Sequence, residues 1–414
     1  MEYVKAMAKT ESRVRAPKKL GRSSISTAAS PKAESKPMNQ GLGAAKTAKQ
    51  DEFYTQYVDI QKEVEAYLEF DEDTFRGKVV YCNCDDPFES NFFKYFAANF
   101  NKLGLKKLVT TSYDGSPIAG AQLTFGEYDE GNGKRQKPKA IAVEIEEVKD
   151  VNGDGATGIE DVKLFLEQNA HTRTPLAGGG DFRSAECVEL LKGADIVVTN
   201  PPFSLFREYV AQLIEHKKKL LIIGNLNAIK YKVVFPHFQG NRLWLGPSIT
   251  GGDREFQVPD SYPLDAAGWR VDKDGTKFIR VKGVRWFTNL DHGRRHQPMN
   301  LMTMADNLKF NKKLDGKSAY VRFDNYTAIE VPFTDAIPSD YDGIMGVPIS
   351  FFDKYSPDQF EIIWQASGNT RASTPALVLQ QMGYSLHPDD RGGCAILRGR
   401  RTYDRIFIRH RATV

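Results

Sequence analysis

Four cysteines in 414 residues are too few, and too poorly spaced, to staple this chain or to metallate it. Cys82, Cys84, Cys187 and Cys394 include no CxxC pair, so neither a disulfide framework nor a zinc-ribbon site is written here, and all four read as reduced thiols of a reducing compartment. Long apolar runs are also missing. None reaches the roughly 20 residues of a membrane helix, and no secretory h-region is present, so a cytoplasmic protein with no membrane partner is expected. Charge of one sign is lacking overall, with 57 Lys+Arg against 53 Asp+Glu. That near balance hides an asymmetry. Residues 1–50 carry 11 basic and 3 acidic side chains, and the remainder carries 46 and 50. A polyanionic partner would therefore require basic residues gathered on one face of a slightly acidic body.

What is present is enough apolar sequence, 41%, for one large core or two. Residues 1–46 are rich in Ala, Ser, Lys, Arg and Pro without periodicity, and read as a flexible basic tail. Residues 1–37, before Met38, are expected to have no essential role. The spacing of Tyr57, Ile60, Val64, Tyr67 and Leu68 predicts an amphipathic helix over 51–70. Strands are predicted at 78–83, 105–112, 195–199 and 219–224, with helices at 89–103 and 204–215. Residues 115–180 are too long for a connection and read as an insertion, with an alternating strand candidate at 140–148. The expected organisation is a catalytic domain over 47–245 and a mixed C-terminal region over 246–414.

The chemistry concentrates at Asp195-Ile-Val-Val-Thr-Asn200-Pro201-Pro202-Phe203-Ser204. A β-branched run that reads as a buried strand ends in two prolines, which fix φ twice and remove two donors. A stiff loop at the carboxyl end of a parallel strand is where α/β folds place ligands. Asn200 Oδ1 and the Pro201 carbonyl can accept both hydrogens of an exocyclic amine, and Phe203 can stack on its ring. Accepting both hydrogens pushes the nitrogen lone pair out of conjugation, towards an electrophile.

Asn-Pro-Pro-aromatic looks like the catalytic motif of amino-methyltransferases that use S-adenosylmethionine. The wider sequence resembles the EcoRI-type adenine-specific DNA methyltransferases, through AKQDEFYTQY (48–57), GKVVYCNCDDPFESNFFKYF (77–96), SYDGSPIAG (112–120), GDFRSAE (180–186), DIVVTNPPFSLFREYV (195–210), LLIIGNLNAI (220–229), VRWFTNLDHGRRH (284–296) and GVPISFFDKYSPDQFEI (346–362). The resemblance implies an α/β class: a Rossmann-like, seven-stranded methyltransferase sheet with a C-terminal mixed α/β target-recognition region. It implies methyl transfer from S-adenosyl-L-methionine to adenine N6 in duplex DNA, in a bacterial or phage-encoded cytoplasmic enzyme. A cognate restriction endonuclease would be a partner in the cell that catalysis does not physically require. Carried over residue by residue, Phe53, Tyr54 and Thr55 would close the donor pocket. Asp85, Asp86 and Phe88 would line it after the first strand, Asp114 would hold the ribose, and Asp181 with Phe182 would receive the donor's adenine. Ser90 and Phe92 stand where typical members have glycines, which puts the geometry of that loop in question.

Two further features call for a reading. Asp150, Asn152, Asp154 and Asp161, with Gly155 at the sixth position, match the spacing of a Ca²⁺ loop, and any ion there would be structural. Arg285, Arg294 and Arg295, interleaved with Trp286 and Phe287, are candidates to bind DNA, the two aromatics being core. Arg398, Arg400, Arg401, Arg405 and Arg409 form a second basic cluster whose 405–409 alternation suggests a closing strand. Two rival readings stay open: the same chemistry on RNA adenine or protein glutamine, and a catalytically decayed DNA-binding module.

Overall fold

The computed structural model describes residues 55–87, 90–114, 140–151, 153, 157–168, 173–258, 262, 264, 268–314, 316–368 and 370–411. The basic tail, Phe53, Tyr54, Phe88, Asn152, Asp154 and much of the insertion lie outside the described residues.

In chain order, short helical turns aside, the elements are α1 (Tyr57–Leu68), β1 (Val79–Cys82), α2 (Asn91–Ala98), β2 (Lys107–Thr111), β3 (Ile141–Ile145), α3 (Ile159–Gln168), β4 (Arg173–Pro175), α4 (Ala185–Gly193), β5 (Ile196–Thr199), α5 (Phe206–Glu215) and β6 (Lys219–Asn225). Then follow β7 (Trp244–Leu245), β8 (Asp253–Val258), β9 (Trp269–Val271), β10 (Lys277–Lys282) and β11 (Val284–Thr288). The last are α6 (Met304–Phe310), β12 (Ala328–Glu330), β13 (Ile344–Val347), β14 (Phe360–Ala366), β15 (Ile396–Leu397), β16 (Arg400–Arg401) and β17 (Arg405–His410).

The principal sheet runs β4-β3-β2-β1-β5-β6-β11-β7. Its centre, β2-β1-β5-β6, is parallel, and β3, β4, β11 and β7 extend it with antiparallel pairings. The sheet has eight strands where the resemblance implied seven, and two of them, β3 and β4, come from the insertion. The central strands are apolar on both faces, as strands covered on both sides must be. Their period of two sorts the core. Val80, Ile196, Val198, Leu221, Ile223 and Trp286 face one cluster, with α1 and α2 over them. Tyr81, Val197, Leu220, Ile222 and Phe287 face the other, with α4 and α5.

Later segments cap the two faces separately. The β8-β10-β9 sheet adds Phe256, Val258, Ile279 and Val281 to the first cluster. The β12-β13-β17-β14 sheet adds Ile329, Met345, Val347, Ile362 and Ile408 to the second. The principal sheet thus takes β11 from beyond residue 245, where register pairs Trp286 with Ile223. The closing strand expected at 405–409 is β17, and Trp286 and Phe287 are both core. Among the described residues no helix is long and apolar enough to cross a membrane, and none of the four cysteines is in a disulfide.

Candidate active site

Strand β1 lies between β2 and β5, so the chain winds outward from it in both directions. The crevice beyond the carboxyl ends of β1 and β5 is therefore the switch point where such sheets bind ligands. Side chains stitch the loops of this edge together. Thr199 Oγ1, the last residue of β5, donates to the Asn83 carbonyl at 2.6 Å. Thr111 Oγ1, the last of β2, donates to Asn83 Oδ1 at 2.9 Å and lies 3.2 Å from the Tyr81 hydroxyl. The Asp85 amide donates to Thr111 O at 2.9 Å, and the Asp114 amide to Gly179 O at 3.0 Å. Gly180 closes the ring. A Cβ there would stand 1.8 Å from the Ser112 carbonyl, and its φ of +72° lies in the region that favours glycine. The loops after β1, β2 and β5 and the Gly178–Asp181 turn thus meet at one edge, bringing Asp85, Asp86, Asp114, Asp181 and Asn200 to a common rim. Sequence reading missed Asn83, Thr111 and Thr199, whose polar side chains at strand ends were the available signal.

The loop after β1 does without the glycines of typical family members. It turns at Cys84, which takes the left-handed conformation (φ 62°). Ser90 then caps α2: its Oγ accepts from the Phe92 and Phe93 amides at 3.1 and 3.4 Å and donates to Asp85 Oδ1 at 2.9 Å. Phe92 is core, packed edge-on against Trp286 with centroids 5.8 Å apart. Thr55 reaches the same corner through its carbonyl, which accepts from Asn91 Nδ2 at 2.8 Å.

The motif after β5 keeps Asn200, Pro201 and Pro202 buried, with Phe203 half-buried against the α1–α2 cluster. The Leu205 amide closes a turn onto Pro202 O at 2.9 Å and leads into α5. Asp85 is largely buried and Asp114 is exposed. Asp181 is half-buried and forms a two-pronged pair with Arg183, at 2.9 and 2.7 Å, and Arg183 also reaches Glu208 at 3.0 Å. Hydrogen bonding to Asp181 raises the Arg183 guanidinium above its usual range. Phe182, the expected ring-lining residue, follows directly after Asp181. It is 3% exposed, packs edge-on against Tyr209 beneath the rim and belongs to the core.

The expected DNA-binding arginines all make contacts within the fold. Arg285 is buried, because β11 is an interior strand, and its Nε and Nη2 pair with the buried Asp353 at 2.6 and 2.9 Å. Arg295 is buried as well, bonded to Asp291 at 2.9 Å and stacked 3.7 Å over the Trp244 ring. Arg294 is half-buried and donates to Pro247 O at 2.9 Å. Arg285 and Arg295 are thus engaged inside the fold, while Arg294 keeps part of its surface exposed. The calcium reading finds no support. Asp161 is buried, with one carboxylate oxygen taking the Val151 amide and the other the Gly158 amide, both at 2.8 Å. Asp150 Oδ1 accepts from Gly153 N at 2.6 Å. Among the described residues no group of three His, Cys, Asp or Glu side chains could hold a metal.

A buried polar cluster that sequence reading did not find lies on the α1 face. Tyr67 OH donates to Glu63 Oε1 at 2.8 Å, and the Ser248 amide to Glu63 Oε2 at 2.9 Å. The only sequence signal was a Glu within an apolar stripe, four residues before a Tyr.

A doubly covered mixed sheet with a parallel centre and Asn-Pro-Pro-Phe at its switch point is the arrangement of the amino-methyltransferase class. Within that class, the profile of the family described as "Adenine-specific methyltransferase EcoRI" matches residues 41–411, and the chain belongs to that family. It is 44% identical over 331 residues to the Type II methyltransferase M.EcoRI of Escherichia coli, covering 78% of this chain and 89% of that protein. It is 36% identical to the Type II methyltransferase M.MpnI of Mycoplasma pneumoniae, over 89% of this chain and 98% of the relative. M.MgeORF184P of Mycoplasma genitalium, another Type II methyltransferase, is 33% identical over 88% and 97%. The protein is thus an adenine-specific methyltransferase, and membership of a methyltransferase family implies S-adenosylmethionine as the donor.

Proposed function

We propose that this chain transfers a methyl group from S-adenosylmethionine to N6 of an adenine flipped out of duplex DNA at a specific sequence. The observation that carries this reading is the Asn200-Pro201-Pro202-Phe203 turn, held at the carboxyl end of β5 beside the loop after β1. The relatives are Type II methyltransferases, which favours DNA over RNA adenine or protein glutamine. Work in the cytoplasm beside a restriction endonuclease fits the same reading, though nothing in the chemistry needs the second enzyme. Residues 246–414 would then supply target recognition.

The residues present fit the donor. Thr55 Oγ1 is buried and has no hydrogen-bond partner among the described residues, at the corner where α2 begins. Asp85 and Asp86 with the start of α2 would hold the donor's ammonium and carboxylate, and Asp114 its ribose. Asp181 would take the adenine amine in exchange for part of its pairing with Arg183. Bound there, S-adenosylmethionine supplies an electrophilic methyl on a sulfonium.

The chain's own residues do the rest. A paired adenine cannot reach a buried Asn200, so the base must leave the stack, at a few kcal/mol. Phe203 offers it a stacking face. Asn200 Oδ1 and the Pro201 carbonyl accept the two N6 hydrogens and free the lone pair. The amine becomes cationic before its proton departs, so no strong general base is required. Rate comes from positioning and from acceptors already oriented. Asn200→Ala should therefore lower single-turnover methylation of duplex DNA on the order of 10²-fold or more. Donor affinity by calorimetry should stay within about twofold, since Asn200 faces the base. Methylation at the unmutated rate would defeat the proposal.

A further inference from the structure

The basic cluster near the C-terminus divides into two sets. Arg405 pairs with the buried Glu330, at 2.6 Å between Nη2 and Oε1, and Arg409 with Glu361 at 2.8 Å. Arg398, Arg400 and Arg401 are exposed and have no acidic partner among the described residues. They lie on the β15–β16 hairpin, whose turn is held rigidly. Gly399 N donates to Asp324 Oδ2 at 2.7 Å, Asp324 N to Ile396 O at 2.8 Å, and Ile396 N to Asn325 Oδ1 at 2.9 Å. Arg398 itself sits in the left-handed region, φ 52°, a strained conformation for a side chain of its size. Three unpaired guanidiniums within four residues repel one another, and a framework role gives no reason to collect them.

The hairpin's position suggests one. Just past it, Asp404 forms an ion pair with Lys230, and Gln365 Nε2 donates to Lys230 O at 3.3 Å. Lys230 ends the short turn that follows β6, whose register pairs Ile222 with Thr199. That turn leaves the sheet at the same carboxyl edge as Asn200. The next residue, Tyr231, lies 4.1 Å under the Arg207 guanidinium, which belongs to the helix that begins after Phe203. The hairpin is thus rooted beside the catalytic edge, with Tyr403, 87% exposed, next to its arginines.

We propose that Arg398, Arg400 and Arg401 form a rigid phosphate-contacting arm that holds duplex DNA across the catalytic edge. The inference rests on the duplex-DNA reading above. A body with 46 basic and 50 acidic residues beyond position 50 needs such local concentration to attract a polyanion.

The test is equilibrium binding of the full chain to a mixed-sequence duplex of about 30 bp at several salt concentrations, where each neutralised phosphate contributes about 0.9 to the slope of log K against log salt. Replacing all three arginines by Ala should reduce that slope by about 2–3, and each single replacement by about 0.9. The triple Lys variant should keep most of the slope. Melting temperature and S-adenosylmethionine affinity should be unchanged in the single variants. An unmutated slope in single and triple Ala variants would overturn the arm while leaving the proposed function intact. If the unmutated chain shows no salt-dependent binding to the duplex, the duplex-DNA reading fails and the arm falls with it.

Discussion

Glu63 and His292 set two titrations against each other in one buried cluster. Glu63 is 0% exposed and His292 3%. The Tyr67 hydroxyl bonds to Glu63, and its ring packs edge-on against His292 with centroids 5.7 Å apart. Burial pushes the Glu63 carboxyl from its ordinary 4.5 up to about 7, against the bonds from Ser248 and Tyr67 and the charge of Arg294. Burial pushes His292 from 6.5 down to about 4; Arg295 and Arg294 add to this, and the Leu245 carbonyl and Asp291 oppose it. The folded chain keeps a proton on Glu63 that the unfolded chain releases above pH 4.5. That stability is complete below 4.5 and is lost as pH rises to about 7. His292 behaves in the opposite sense, its contribution being complete above 6.5 and lost as pH falls towards 4. Each slope is about 1.4 kcal/mol per pH unit, so between pH 4.5 and 6.5 the two cancel in the unmutated chain. Glu63→Gln removes the falling slope, and its stability relative to the unmutated chain should rise by about 3 kcal/mol across that window. His292→Gln should fall by a similar amount. Urea unfolding of the three proteins over this range, read as differences, removes every group they share. A difference flat to about 0.5 kcal/mol for both variants would refute the reasoning.

Asp353→Asn leaves the Arg285 charge buried without its partner and should cost about 3–5 kcal/mol in denaturant unfolding, whereas Arg285→Met with Asp353→Leu should recover most of it. A normal unfolding curve for Asp353→Asn would return Arg285 to the list of DNA contacts. Gly180→Ala drives a Cβ into the Ser112 carbonyl at a positive φ, and a loss of about 2–4 kcal/mol in stability, with weaker S-adenosylmethionine binding by calorimetry, should follow. Phe203→Ala should weaken capture of the target base by about 1–3 kcal/mol, seen as a raised KM for DNA, while Phe203→Trp keeps most activity; equal KM values in all three would remove the stacking role.

The sheet was legible because its signals are local. Ile196–Thr199 and Lys219–Asn225 are short β-branched and aliphatic runs bounded by polar turns, and they pair in parallel as such runs should. The alternation at 140–148 likewise emerges as β3. The eight-strand count was not legible, because nothing in Arg173–Pro175 marks a strand; it exists only by pairing with β3. The glycines missing at Ser90 and Phe92 have structural counterparts among the described residues. The turn had moved back to Cys84, and a serine cap with an aromatic core residue needs no glycine.

The arginines were the hardest to read, for a physical reason. A basic residue's role depends on whether the fold delivers an acid to it, and that acid is usually far along the chain. Asp353 is 68 residues from Arg285, and Glu330 is 75 from Arg405. In sequence, Arg285 beside Trp286 and Arg401 beside Tyr403 look alike: a guanidinium next to an aromatic. In the fold, the first is neutralised inside a strand covered on both faces, and the second stands on a hairpin among like charges. Desolvation makes the difference consequential. A buried guanidinium without its carboxylate would cost several kcal/mol, which holds Arg285 to Asp353. An exposed, unpaired one costs little to keep and has its charge available for phosphate. The proposed DNA arm thus rests on arginines the fold leaves unpaired, and only the tertiary pairing tells them apart.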